Sequence, residues 1–404
     1  MTPIATPAVA RRAIHPPPPD FGALLERVNA IGRDVVAANA AAVDREARFP
    51  HEAFAALREE RLLAAYVPLE LGGLGLDVVQ VATLCETLGR YCASTAMIFA
   101  MHQIQAACIV HHALDSEWFR EYARELASRQ FLLASATTEL GIGGDARSSI
   151  CAVKVEGERF TLEKQAPVIS YGAEADAILV TCRRSEDAPR SDQLQVLVRR
   201  EDRELTPLSA WDTLGFRGTC SPGFALKSAG DARQILPVPY AEIHARTQHP
   251  FAHVVWSSLW LGLASDALAR ARAAVKAEAR KSPGAVPISA TRLAEADLVL
   301  DSMRATVHGV RDEYARLLVA GDPEAFSSYG FVIRANNLKL IASQLVVDVV
   351  ARAMVICGIA GYRNDSKLTL GRHLRDATGA GLMVNNDRIL GQSAMMHVAL
   401  REAS

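Results

Sequence analysis

The sequence predicts an α+β fold: an N-terminal helical domain, a middle β-domain and a C-terminal four-helix bundle. Three observations carry this expectation. Apolar residues recur at three- and four-residue spacing from Phe21 to about Arg129. The period shortens to strand-like runs between about 131 and 240, and helical spacing then returns to the end. At 404 residues the chain also exceeds the size of one ordinary core, so several units are expected.

The elements follow in order. Residues 1–20 read as a disordered arm, because a run of prolines cannot donate backbone hydrogen bonds. Residues 21–130 form the first helical domain. "FGALLERVNAIGRDVVAANAAAVDREARF" is alanine-rich and helical in spacing, and "PHEAFAALREERL" is a short helix with proline at its start. "PLELGGLGLD" interrupts the pattern with glycines, and "VVQVATLCETLGRYCASTAMIFAMHQIQAACIVHHAL" is long, apolar and helical. The β-domain spans 131–240, with runs "FLLASATT", "SICAVKVEGERFTLEK", "DAILVTCRR" and "LQVLVRRED". A hairpin is expected to turn at Glu156, Gly157 and Glu158. Four long helical segments within 241–404, joined by short breaks, give an antiparallel bundle.

Composition narrows the function classes. Basic and acidic residues balance to a net charge of −1, which leaves no footprint for nucleic acid or an anionic membrane. No stretch is expected to reach the ~18–20 apolar residues of a membrane span, and the start has no hydrophobic block with a cleavage site. Seven scattered cysteines without a C-x-x-C pair suit reduced thiols in a cytoplasmic protein. His111 and His112 are adjacent, so they point to different sides of a helix, and no metal site is expected.

Six segments, in order, resemble the acyl-CoA dehydrogenase family over about residues 25–400. They are "VPLELGGLGLDVVQVATLCETLGRYCAST", "TELGIGGD" (138–145), "VISYGAEAD" (168–176), "LGFRGTCS" (214–221), "GIAGY" (358–362) and "LRDA" (374–377). The resemblance implies an acyl-CoA dehydrogenase-like fold and a flavin-dependent oxidoreductase with FAD as cofactor. It implies flavin contacts from Thr137, Thr138, Ile169 and Ser170. Hydroxyls and backbone donors at strand ends are the groups such a ring needs. It also implies a pyrophosphate contact from Arg280 in "RKSPG", close backbone approach at Gly358 and Gly361, and substrate contacts at Gly144 and Arg217. A homodimer or homotetramer is expected. So is an acyl thioester substrate, carried by CoA or an acyl-carrier protein, with an electron-transfer flavoprotein or a flavin reductase as redox partner.

The chain departs from the family where the family keeps its proton acceptor. The usual glutamate position is Val384, and the alternative position on the first bundle helix is Ala252. Valine cannot accept a proton, and general-base help is of the order of 10²–10⁴ in rate. Two replacements are open. His253 stands where the family usually has arginine, and Asp387 lies three residues past Val384, one helical turn away. Each also has a structural reading: packing for His253, and membership of an N-cap cluster "NNDR" for Asp387. The expected activity is oxidation of the CH–CH bond of an acyl thioester. A flavin-dependent monooxygenase on the same scaffold and a non-catalytic binding protein are the alternatives.

Overall fold

The computed structural model describes residues 20–141, 147–281 and 284–399. The expected arm at 1–19 lies outside the described residues. Asp20 belongs to the fold instead: its carboxylate accepts from the backbone N–H groups of Gly22 and Ala23 and so caps the first helix.

The N-terminal part contains α1 (Phe21–Ile31), α2 (Ala37–Glu46), α3 (His51–Glu59), α4 (Val78–Gly89), α5 (Ala93–His112) and α6 (Glu117–Arg129). A π-helical turn, Gly32–Val36, joins the first two, so the expected single run is continuous but wider at its middle. The long segment expected from 78 to 114 is two helices, broken at Arg90–Cys92. Asp77 starts α4 with a capping box on Gln80.

Among the described residues seven strands follow: β1 (Leu133–Ala136), β2 (Lys154–Glu156), β3 (Arg159–Ala166), β4 (Ala177–Arg183), β5 (Gln193–Arg199), β6 (Arg203–Pro207) and β7 (Phe224–Asp231). They form two sheets, ordered β1-β4-β5 and β2-β3-β7-β6. β1 runs parallel to β4, with Leu133 beside Ala177, and the other pairs are antiparallel. β4 and β5 are buried on both faces along nearly their whole length, β4 being almost wholly apolar, while β3 alternates exposed and buried residues. The hairpin turns where expected, with Glu156 paired to Arg159 and Gly157 in the left-handed region at φ 58°.

The C-terminal part holds α7 (Tyr240–Ile243), α8 (His249–Ala279), α9 (Ile288–Ala320), α10 (Pro323–Ser327), α11 (Tyr329–Cys357), α12 (Ile359–Tyr362), α13 (Gly371–Gly379) and α14 (Asn386–Ala399). Three of these are long. The fourth bundle helix, α14, has 14 residues and follows the short α13. Two helices, α5 and α11, have the length and hydropathy of a membrane span, which corrects the expectation that no stretch would. In α5, 89% of that apolar window is buried inside the fold.

α8 is the central post. Residues 250–264 are buried all round, and α8 crosses α4 with backbone against backbone. A Cβ on Gly262 would sit 2.0 Å from the carbonyl oxygen of Glu86, and one on Gly89 would sit 2.3 Å from that of Leu259. Gly262→Ala therefore forces two packed helices apart. We expect a loss of about 1–3 kcal/mol or more, read as a lower urea midpoint. An unchanged midpoint would contradict this close crossing.

Candidate active site

The ends of β1, the loop 168–171, α5, α8 and the loop before α14 enclose a chamber of about 330 Å³. A second hollow of about 410 Å³ adjoins it and shares Met101, Val168, Ser170 and Met383. The strand side is lined with hydroxyls: Ser135, Thr137, Thr138 and Ser170. Ser135 and Thr137 lie 3.3 Å apart, and Thr138 donates to the Val168 carbonyl at 3.2 Å. Ser170 accepts from Ser221 at 3.0 Å, which leaves its own proton to donate.

The opposite wall is a ladder of rings. Tyr240, His244, His249, His253 and Trp256 all line the chamber. Successive ring centroids lie 5.7, 5.5, 4.3 and 6.2 Å apart. The π-helical turn His244–Gln248 sets this register, because a five-residue step brings His244 and His249 onto one face. His253 then follows one ordinary turn later. Among the described residues no group of three His, Cys, Asp or Glu side chains could hold a metal ion.

α11 fixes two of these imidazoles. His253 Nδ1 lies 2.9 Å from the Ala335 carbonyl, so Nδ1 carries the hydrogen and Nε2 keeps the lone pair of the neutral ring. His249 Nε2 lies 2.8 Å from Asn336 Oδ1, and the Asn336 amide nitrogen donates to Ser393 Oγ at 3.1 Å. That arrangement leaves the lone pair of His249 on Nδ1. Burial lowers the pKa of all three histidines: His244 to about 3, His249 downward, and His253 well below its usual 6.5. The charge of Arg147 adds to the effect at His244 and His249, and Lys339 adds to it at His253. His244 and His249 keep some surface open to the chamber.

The loop before α14 carries Val384 at the edge of this chamber. Val384 is half-exposed and sits at φ 43°, an unusual conformation for a β-branched residue. The buried Lys339 holds the loop, donating to the Val384 carbonyl at 3.3 Å and to Asn386 Oδ1 at 2.6 Å. Burial brings the Lys339 pKa down to about 8. Neither hollow is lined by a carboxylate among the described residues.

Of the expected site residues, the structure brings Thr137, Thr138, Ser170, His253 and Val384 together. It leaves others out. Asp387 is exposed in the first turn of α14, with its N–H capped by Asn385 Oδ1 at 2.9 Å, so the capping reading replaces the proposed base. Ile169 is buried and its N–H is committed to the Pro222 carbonyl at 3.1 Å. Arg217 braces the fold through Asp212 and the carbonyls of Asp44 and Thr213. Arg280 is exposed at the far end of α8, and Gly358 and Gly361 sit at the junction of α11 and α12, away from both hollows. Gly144 lies outside the described residues. The arginine-aspartate pair is structural: Arg375 pairs with Asp44, and the buried Asp376 accepts from the Phe216 N–H at 2.7 Å.

Buried neutral histidines also set an acid limit on stability. His102 is fully buried, with Nε2 on the Leu63 carbonyl at 2.6 Å and Nδ1 accepting from the Leu133 N–H at 2.9 Å. Burial pushes its pKa down to about 4. Below about pH 6.5 the unfolded chain binds protons that the folded chain refuses, so stability is full above that value and falls as pH drops. We expect His102 and His244 each to remove about 2 kcal/mol by about pH 5, seen in urea melts at both pH values. A midpoint independent of pH would contradict this.

Comparison with known proteins agrees with this architecture. The family model for the acyl-CoA dehydrogenase N-terminal domain matches residues 19–147, and that for the C-terminal domain matches 251–383. The chain is 27% identical over 345 residues to the mitochondrial short-chain specific acyl-CoA dehydrogenase of Bos taurus, covering 84% of this chain and 80% of that one. It is 24% identical over 368 residues to the probable acyl-CoA dehydrogenase FadE25 of Mycobacterium tuberculosis, covering 89% and 90%. Among solved structures, FMN-bound TdsC from Paenibacillus sp. A11-2 superposes with a TM-score of 0.82 at 18% identity, covering 93% and 97%. Butyryl-CoA dehydrogenase from Megasphaera elsdenii gives 0.78 at 20% identity, covering 94% and 98%.

Proposed function

The chain belongs to the acyl-CoA dehydrogenase family of flavin-dependent oxidoreductases, and from that premise we propose that it oxidises the Cα–Cβ bond of an acyl thioester with His253 as proton acceptor. The observation that carries this reading is the tautomer of His253. Its Nδ1–H is tied to the Ala335 carbonyl, so a basic Nε2 is held in the chamber beside the valine that replaces the family's glutamate.

The hydroxyl wall fits a flavin. Thr137 and Thr138 at the end of β1, with Ser170 in the loop 168–171, offer donors and acceptors, and Val168, Met101 and Met383 offer apolar surface between the two hollows. FAD, when bound there, supplies the two-electron acceptor that takes the β-hydrogen. The protein's part is to position the thioester, exclude water and take the α-proton at His253 Nε2. Lys339 and the neighbouring imidazoles oppose a charged His253, and among the described residues no carboxylate lines the chamber around it. It is therefore a weak base, and turnover is expected to be slow.

A division into units at about 130 and 240 belongs to the same reading, as do a cytoplasmic setting and a homo-oligomer. Val355, Ile359 and Tyr362 form an exposed apolar surface on α11 and α12 that a second copy would cover. CoA is the carrier this reading favours, with an electron-transfer flavoprotein as oxidant.

That no carboxylate among the described residues lines either hollow favours one second reading, in which reduced flavin and O₂ oxygenate a substrate in the same chamber. The structural likeness to TdsC, titled a dibenzothiophene monooxygenase, supports it. The two readings separate in one experiment. Anaerobic addition of an acyl-CoA bleaches the visible flavin band if the first holds. An unreactive oxidised flavin, with oxygenated product formed only from reduced flavin plus O₂, selects the second.

A further inference from the structure

Three acceptors line the chamber, one from α5 and two from α8. Gln105 is 3% exposed and its Oε1 has no hydrogen-bond partner, while its amide nitrogen reaches back to the Met101 carbonyl of its own helix. His249 keeps its lone pair on Nδ1, because Nε2 is engaged by Asn336. His253 keeps its lone pair on Nε2, because Nδ1 is engaged by Ala335. All three residues line the same chamber. Two buried groups able to donate share the lining and also stand without a partner, the Nε1–H of Trp256 and the hydroxyl of Tyr240. Among the described residues the lining thus offers neutral polar groups and no charged side chain.

A buried acceptor without a donor costs roughly 1–3 kcal/mol, and packing does not explain the one at Gln105. His253 has a use as the base, which leaves Gln105 and His249 unexplained. An unsubstituted hydrocarbon arm would cover these oxygens and nitrogens with CH₂ groups and strand them. A hydroxyl or N–H would satisfy them.

We propose that the chamber selects a substrate whose buried arm bears a neutral hydrogen-bond donor, a hydroxyl or an amide N–H, placed to meet Gln105 Oε1 and His249 Nδ1. For the thioester this rests on the reading above; the donor preference itself rests on the wall. Asn336 acts here as a positioning residue. Its carbonyl oxygen holds His249 in the tautomer that accepts, and its own amide nitrogen is anchored on Ser393. A protonated amine is excluded from this class, because the wall offers it no counter-charge.

The test uses the flavin-loaded full-length protein and butanoyl-CoA thioesters bearing no substituent, a β-hydroxyl, a γ-hydroxyl or a γ-acetamido group. Binding is read from the perturbation of the flavin spectrum, and reduction is read separately from its bleaching. At least one donor-bearing thioester is expected to bind about 10²-fold tighter than the unsubstituted one. Gln105→Met and His249→Phe should each cut that preference about tenfold. Gln105→Met, which removes a stranded acceptor, should also raise the urea midpoint, so it stays informative if His249→Phe fails to fold.

Equal binding of all the thioesters, or of none, overturns the proposal, as does a preference that both variants leave unchanged. Tight binding of a donor-bearing thioester without any bleaching upholds the proposal and removes the dehydrogenase reading. Bleaching by every thioester with no preference does the reverse.

Discussion

Replacing His253 by asparagine should lower kcat for the acyl thioester by about 10²–10⁴-fold while leaving flavin content intact. Asparagine is the informative choice because its amide nitrogen stands near the place of Nδ1 and can keep the bond to Ala335, while nothing remains at the position of Nε2. Packing in a side chain only 2% exposed is disturbed little, so a purely structural residue would give a modest change spread over KM and stability. A base gives a fall in kcat alone and a larger isotope effect with α-deuterated substrate. The wild-type pH profile should also distinguish the two roles. With a pKa well below 6.5, His253 stays neutral and active at pH values where an ordinary histidine is already protonated, and activity falls only at more acid pH. A kcat for His253→Asn within about threefold of wild type would remove His253 from the chemistry, given the size general bases contribute.

Adding Val384→Glu to the His253→Asn variant should recover at least about tenfold of the lost rate, since a positioned carboxylate can supply the missing base. Val384 borders the chamber, and the Lys339 ammonium lies 3.3 Å from its backbone oxygen, a nearby cation that favours the ionised acid. Stability should hold or rise, because the change takes a β-branched side chain out of the left-handed region, at φ 43°. The rescued variant should need a deprotonated acid, so its activity should be lost at low pH as the glutamate is protonated. If the double variant folds, keeps its flavin and shows no gain, then proton acceptance is not what position 384 lacks.

Much of this architecture was legible in the sequence, for physical reasons that can be named. The switch from helical to strand period marked the β region, and β4 reads as a nearly continuous apolar run because both its faces are buried. Other features were hidden. β6 and β7 escaped notice because "RELTP" is short and largely exposed and "FALKSAGD" carries alanine and glycine where strands usually carry branched residues. The break at Arg90–Cys92 has no proline to announce it.

The site was half legible. Thr137 and Thr138 follow β1, and Ser170 carries a hydroxyl in the loop after β3, so all three could be picked out; Ile169 could not be told apart from them, because its N–H is used by a distant residue, Pro222. Asp387 looked one turn from Val384, yet Val384 lies outside the helix in a left-handed turn, so helical spacing does not apply between them. His244 and His249 were passed over for a related reason. Five residues separate them, a step that fits neither an ordinary helical face nor a strand until a π-helical turn is allowed for. The signal was present in "YAEIHARTQHPFAHVVW", whose ring-bearing residues share one stripe once that extra residue is counted.

The most direct test of the central claim, that a neutral imidazole replaces the missing carboxylate beside the flavin, is anaerobic stopped-flow reduction of the purified flavoprotein. The protein would be mixed with an acyl-CoA and its α-deuterated form. The expected result is bleaching of the flavin band that is slowed by deuterium in wild type and slowed by a further ~10²-fold or more in His253→Asn. A flavin that stays oxidised with every acyl-CoA, or one that bleaches at the same rate in both proteins, would contradict it.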